Sequence, residues 1–219
     1  MRQFDFYEVV AVIAPGMVLI IGVVFLFYPD QQQNCLSIAN LSLGSLGVGL
    51  ILAYVAGQLL QVVGNGIESI WWKLWGGMPT DWLRSGKHDL VSITQSDLIK
   101  THISVMLKSP SLEPQSIKPK EWYSIARHIY AAVAAEGRSA RVDVFNGNYG
   151  LCRGLVAAFS VLIFWSFILD CNVGRAEVAL VFLVFLALYR MHRFGERYAR
   201  ELFIQFIVIK EGKSEGGPK

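Results

Sequence analysis

Four uncharged apolar segments constrain this chain more than any other feature of its sequence. They are Val9–Tyr28, Leu41–Val63, Leu155–Leu169 and Val178–Tyr189. The first two contain 20 and 23 residues, and a helix of about 20 residues covers the roughly 30 Å of a hydrocarbon core. Hydrophobic residues make up 53% of the chain and charged residues 17%, which excludes a disordered chain and disfavours an ordinary soluble enzyme. We therefore predict an all-α membrane protein.

The two later segments are shorter than a full span. Leu155–Leu169 reaches full length only if residues 151–154 join it and the Arg153 side chain extends to the headgroups. Extending the last segment to Ala176–Met191 gives about 24 Å. A re-entrant hairpin or an interfacial pair is the alternative, but hydropathy and loop charge favour two true spans. The predicted fold is four transmembrane helices in two hairpins, with a helical cytosolic insert between spans two and three.

The distribution of Lys and Arg predicts the orientation of these spans. Residues 64–153 contain eleven of them and residues 190–219 contain seven, whereas residues 29–40 contain none and residues 170–177 contain one. Cytoplasmic loops collect positive charge. We therefore expect the insert and both termini to face the cytoplasm, with the bacterial inner membrane as the compartment.

The spans and the charge pattern divide the chain into four segments. Residues 1–63 form the first transmembrane hairpin, and residues 64–150 form a cytosolic helical segment. Residues 151–209 form the second hairpin with a basic cytosolic helix, and residues 210–219 form a disordered tail. The cytosolic segment begins with a Trp-rich helix suited to the membrane interface. The predicted interfacial anchors are Trp71, Trp72, Trp75 and Trp82.

The rest of the insert is also predicted to be helical. Residues 76–79, Gly-Gly-Met-Pro, end the Trp-rich helix. Residues 94–97, Thr-Gln-Ser-Asp, resemble a capping box that begins a helix to about Lys108, and Pro119 suits the first turn of another. The apolar face of that helix is Trp122, Ile125, Ala126, Ile129 and Val133. The short apolar segment Leu202–Ile209 is expected to pack against this insert or against a partner.

Span two contains a stripe of small residues followed by amides. The stripe recurs every four residues as Ser45, Gly49, Ala53 and Gly57. Small residues let helices approach closely in lipid. The amides are Gln58, Gln61 and Asn65. Two interpretations are open: the stripe lines an oligomer axis with the amides at a polar constriction, or span two packs on the other spans of its own chain.

A row of arginines follows span four. Arg190, Arg193, Arg197 and Arg200 are spaced for one helical face. Guanidinium groups suit phosphates, so the row could bind anionic lipid headgroups or another anionic ligand. The alternative is the ordinary basic end of a cytosolic helix.

The sequence contains no recognisable catalytic or metal-binding motif. Its His residues lack zinc-site spacing, and it has no P-loop, GxGxxG or GxSxG pattern. We expect no catalytic residue, no cofactor, no metal and no sequence-specific binding of nucleic acid. Cys35 and Cys171 fall on the predicted outer side, where they form a disulfide or stay free thiols.

These features predict a non-enzymatic protein that couples a cytosolic helical module to the bilayer. We expect a homo-oligomer that senses, scaffolds or regulates by recruiting a soluble cytosolic partner. The layout is comparable to that of small bacterial membrane proteins in antiviral defence, which is an analogy of layout alone. The alternative is an oligomeric pore that alters membrane permeability.

Overall fold

A computed structural model describes residues 9–27, 43–86, 89–106, 114–169 and 174–215. Within these ranges the chain is helical and contains no strand. Cys35 and Cys171, for which a disulfide and two free thiols are both open, lie outside the described residues, as does the side chain of Ser45.

The described ranges contain the following helical elements in chain order. They are a π-helical turn at Val9–Ile13, α1 at Ala14–Phe27, α2 at Leu43–Leu74, α3 at Pro79–Ser85, α4 at Ile93–Met106, a 3₁₀ turn at Pro114–Ser116, α5 at Pro119–Ala135, α6 at Ala140–Leu169 and α7 at Arg175–Glu215.

Four stretches of the described residues are long and apolar enough to cross a membrane. They are Val9–Leu26, Leu46–Ser85, Ala140–Leu169 and Arg175–Gly212. The described residues therefore confirm the prediction of an all-α fold with four helices that are long and apolar enough to span a membrane. The third and fourth helices are longer than the apolar segments that mark them in the sequence.

The chain divides into two compact units. The membrane unit consists of Met1–Ile70 and Gly147–Arg193, and the helical module consists of Trp71–Asn146 and Phe194–Lys219. The C-terminal part of the chain therefore belongs with the insert. Three helices, α2, α6 and α7, each continue without interruption from residues of one unit to residues of the other.

Glycines set the packing of α1 on α2 in the membrane unit. A Cβ built on Gly16 would lie 1.8 Å from the Ala53 carbonyl oxygen, and one on Gly57 would lie 2.1 Å from the Val12 carbonyl oxygen. The two backbones are therefore in direct contact, as small residues allow in lipid. Part of the predicted small-residue stripe is used inside the chain.

Large apolar side chains form the core of the helical module. The predicted apolar face of α5 is buried along its whole length. Phe203 of α7 packs beside Trp122 of α5, with ring centroids 6.4 Å apart, and the Trp122 Nε1 donates a hydrogen bond to the Thr80 carbonyl at 2.8 Å. The apolar segment Leu202–Ile209 thus packs against the insert, which was one of its two predicted positions.

The predicted helix boundaries hold with two differences. Gly76 and Gly77 have positive φ and separate α2 from α3, as the Gly-Gly-Met-Pro sequence predicts. The capping box is at Ser92 and not at residue 94. The Ser92 N–H donates to Gln95 Oε1, and the Gln95 N–H donates to Ser92 Oγ. The Asp97 carboxylate pairs instead with Lys100 at 3.3 Å.

The second difference lies at the C-terminal end of α7. This helix continues to Glu215, so residues 210–215 of the predicted disordered tail are helical. At the start of this extension the Lys210 ammonium lies 5.4 Å from the centroid of the buried Phe206 ring.

Candidate functional site

A proline near the start of the chain removes the α-helical hydrogen-bond donor of a buried carbonyl. In an α-helix the Ala11 carbonyl would accept from the N–H of residue 15, which is proline and has none. Ala11 is fully buried in the π-helical turn, and a buried carbonyl needs a partner. The Gln61 side chain of α2 donates from Nε2 to the Ala11 oxygen at 2.9 Å.

Gln61 is the first member of a longer chain of hydrogen bonds. Its Oε1 accepts from Arg153 Nη2. Arg153 Nη1 donates to Glu68 Oε2 at 2.6 Å, and the Tyr149 hydroxyl donates to Glu68 Oε1 at 2.6 Å. We call the connected groups Ala11, Gln61, Glu68, Tyr149 and Arg153 the polar network.

Helical spacing brings these side chains together. Gln61 and Glu68 are seven residues apart, which places them two turns apart on one face of α2, and Tyr149 and Arg153 share a face of α6 at i and i+4. Gly64 lies between the two α2 positions. A Cβ there would lie 3.1 Å from Arg153 Cγ. Gly64 therefore leaves the room in which the arginine crosses to α2.

Burial makes the ion pair of the network costly to break. The side chains of Arg153 and Glu68 are each only 14% exposed. Removing one partner of a buried ion pair typically costs about 3–5 kcal/mol, because the other charge stays buried without compensation. The network therefore holds α2 and α6 in one register and joins both helices to the π-helical turn.

The groups of the polar network are suited to linking helices. It combines one cation, one anion, an amide and a phenol, and each of the four hydrogen bonds named above links two helical segments. Within the residues that the structure describes, no group of three or more His, Cys, Asp or Glu side chains could hold a metal ion.

Sequence reasoning found Gln61 but missed most of the network. The available signal was a pair of opposite charges just beyond the apolar segments: Glu68 follows span two, and Arg153 precedes span three. An ionisable group near a span faces protein interior more often than lipid. The prediction that Arg153 extends to the headgroups differs from the structure, because Glu68 and Gln61 bind its guanidinium.

The predicted stripe and constriction of α2 occupy different surroundings. Ala53 and Gly57 are buried on the side of α1, whereas a Cβ on Gly49 would meet nothing within 4 Å. Gln61 is bound within the network, while Gln58 and Asn65 are exposed. The structure therefore separates Gln61 from the other two amides, and their role in a pore or an oligomer stays a prediction.

The four tryptophans split into two pairs. Trp72 and Trp82 are buried in the helical module and pack edge to face at 6.1 Å. Trp71 and Trp75 lie nearer the surface, with centroids 6.1 Å apart, and Trp75 is 42% exposed. An interfacial position therefore stays a prediction for the second pair, and the first pair belongs to the core.

The arginine row lies on α7 as predicted. All four residues are exposed. Arg200 also serves the fold, since its Nε donates to the Leu90 carbonyl at 2.9 Å. Anion binding by this row stays a prediction.

Comparison with known proteins assigns no activity: no protein-family model, no curated protein and no solved structure matches this chain. Any function has to follow from its own residues, and the polar network is the most constrained arrangement of polar groups among those described.

Proposed function

We propose that this chain is a non-enzymatic, multi-pass membrane protein that regulates by recruiting a soluble cytosolic partner to its helical module. The polar network is the observation that carries the proposal. It connects α2 and α6, which both continue into the helical module. Movement of α2 along α6 would separate Glu68 from Arg153. Partner binding that displaces either helix would therefore act on the membrane unit.

The proposed setting is the bacterial inner membrane, with two transmembrane hairpins and both termini in the cytoplasm. The excess of Lys and Arg in residues 64–153 and 190–219 supports this orientation. It would place the helical module on the cytoplasmic side, where soluble partners are available. We further propose that the protein acts as a homo-oligomer.

The exposed side of α5 offers a position from which to detect the partner. Tyr123 is 60% exposed on this helix, next to the buried Trp122. Arg127, one turn further along, donates from Nη1 to the Tyr123 hydroxyl at 3.4 Å. Tyr and Arg are the residue types that most often dominate protein interfaces.

Photo-crosslinking from this position tests recruitment. The full-length protein would carry p-benzoylphenylalanine at position 123 in living cells, and the control would carry it at position 182, an exposed apolar residue of α7. We expect irradiation to give one discrete adduct with a soluble protein from position 123 and none from position 182. Equal adduct patterns at both positions would contradict recruitment by the module.

A second measurement on the same proteins tests whether the polar network is coupled to partner binding by the helical module. Gln61→Leu removes both the donor to Ala11 and the acceptor for Arg153, far from position 123 in sequence. We expect it to change the adduct yield at position 123 at least threefold while tryptophan fluorescence shows that the module remains folded. An unchanged yield would leave recruitment in place and refute coupling through the network.

The alternative function, an oligomeric pore, is favoured by one observation. Gln58 and Asn65 are exposed on a helix apolar enough to span a membrane, where an amide prefers water or another amide to lipid. Single-channel recording of the purified protein in planar bilayers tests it. A pore lined by these amides predicts a current that Gln58→Leu reduces, and membranes that stay silent over a range of voltages would remove this alternative.

A further inference from the structure

One face of α2 is exposed from residue 47 to residue 69 and carries four polar side chains, Tyr54, Gln58, Asn65 and Ser69. Its members recur at intervals of three and four residues and all are exposed: Gly47, Ile51, Tyr54, Gln58, Val62, Asn65 and Ser69. At about 1.5 Å per residue this outer row is roughly 33 Å long. With 3.6 residues per turn it lies on a different side of the helix from Ala53, Gly57 and Leu60, which are buried within the membrane unit.

Lipid is a poor neighbour for the amides of this row, of which Gln58 lies within the predicted span Leu41–Val63 and Asn65 lies two residues beyond it. A primary amide exposed to hydrocarbon loses its hydrogen bonds to water, and that loss has to be made good by a protein partner. Other exposed faces of the spans differ. On α7 the exposed residues Phe182, Phe185 and Leu186 are apolar, as are Leu52 and Leu59 on the remaining side of α2. The amides are therefore confined to one narrow face.

The pattern of the row fits a second copy of the same helix. Ile51, Gln58 and Asn65 follow one another at intervals of seven, the repeat at which two helices stay in contact along a left-handed crossing. Two copies in one membrane share their orientation, so a two-fold axis along the helices brings each residue opposite itself at the same depth. An amide both donates and accepts, so Gln58 can pair with Gln58 and Asn65 with Asn65.

The ends of the row allow close approach. A Cβ on Gly47 would meet nothing within 4 Å, and the same is true of Gly66 beside Asn65. A neighbouring backbone can therefore come near at both places. A different membrane protein would need matching amides at both depths, a requirement that an identical copy meets automatically.

We infer that the outer row of α2 is the contact surface between two copies of this chain, with Gln58 and Asn65 hydrogen-bonded across the two-fold axis. This inference rests on the homo-oligomer of the proposed function and names its contact face. It differs from the small-residue stripe, whose members Ala53 and Gly57 are occupied by α1 within the chain.

The mass of the full-length protein in lipid nanodiscs and in dilution series of mild detergent tests this surface. The test variant is Gln58→Leu with Asn65→Leu, which keeps side-chain volume and removes both amides. The matched control is Leu52→Ala with Leu59→Ala on the apolar side of the same helix. We expect the test variant to raise the Kd of the dimer at least tenfold and the control to stay within threefold of the original protein. Unfolding midpoints of all three proteins report whether each chain remains folded.

Three outcomes are distinguishable. A dimer that the test variant dissociates and the control leaves intact supports the inference. A dimer of equal stability in all three proteins overturns the outer row as the contact and leaves the proposed assembly standing. A wild-type monomer at every protein concentration overturns both the contact and the homo-oligomer. Gln58→Asn with Asn65→Gln adds a further check, because it keeps the amides and should restore the dimer.

Discussion

The interior of the membrane unit and the interior of the helical module are stabilised by different kinds of contact. In the membrane unit, Gly16 and Gly57 let the backbones of α1 and α2 touch. In the helical module, Trp122, Phe203 and Phe206 fill the space between helices. The difference follows from the solvent: burying a large side chain away from water is favourable, whereas lipid is as apolar as the side chain and only close packing is gained.

Polar groups also differ between the two regions. In the helical module, Trp82 Nε1, Trp122 Nε1 and Arg200 Nε each donate to a backbone carbonyl. In the membrane unit, Arg153 and Glu68, which are 85 positions apart, form an ion pair between two side chains. Buried charges of opposite sign thus supply specificity between helices that hydrophobicity alone cannot position in lipid.

The largest expected effect on the membrane unit comes from separating the backbones of α1 and α2. Gly57→Leu places a side chain where the first atom already lies 2.1 Å from the Val12 carbonyl oxygen, so α1 cannot remain in place. We expect loss of the folded membrane unit, seen as a missing cooperative transition in detergent denaturation. Gly49→Leu is the matched control on the same helix, because its site is open. Similar unfolding curves for the two variants would contradict the packing.

The corresponding test of the helical module removes side-chain volume from its core. Trp122→Ala deletes a fully buried ring and its hydrogen bond to Thr80, and we expect a loss of about 3–5 kcal/mol in the free energy of unfolding. Tyr123→Ala is the control, since that side chain is 60% exposed and its loss should cost under about 1 kcal/mol. Thermal unfolding followed by circular dichroism distinguishes them. Equal losses would show that the ring is not part of the core.

The two regions also differ in how far the sequence predicts them. Periodicity identifies the buried face of α5, because water imposes an apolar stripe on each helix. The apolar composition of Leu202–Ile209 predicts its burial but leaves open whether the insert or a partner covers it. In the membrane unit nearly every position is apolar, so periodicity cannot separate the buried Gly57 from the open Gly49. The polar network is still harder to predict from the sequence, because Gln61, Glu68 and Arg153 meet only after α2 and α6 have packed.

The ion pair of the polar network provides a smaller and more selective change. Arg153→Met leaves Glu68 buried without its cation, and we expect a loss of about 3 kcal/mol. The double variant Arg153→Met with Glu68→Leu removes both charges and should recover most of that loss. Detergent denaturation of the single and double variants measures the coupling. Additive losses would mean that the two side chains do not interact in the folded protein.

The smallest expected effect is a dependence of the helical module on pH. His102 of α4 packs edge to face on Phe206 at 6.3 Å, and its Nε2 is buried without a hydrogen-bond partner. Burial lowers the pKa of His102 below its ordinary value, the charge of Lys210 lowers it further, and Glu211 opposes both. The folded module therefore favours the neutral ring.

The sign of the pH effect follows from that lowered pKa. The unfolded chain takes up a proton near the ordinary histidine pKa of about 6.5, while the folded module resists it to lower pH, so stability is complete above this value and falls as pH decreases through the folded pKa. We expect unfolding midpoints to drop between about pH 7 and pH 5, and His102→Gln to make that drop shallower. The control His128→Gln removes an exposed histidine of α5 and should keep the original slope. If His102→Gln and the original protein lose stability in parallel, a group other than the half-buried His102 ring causes the pH dependence of the helical module.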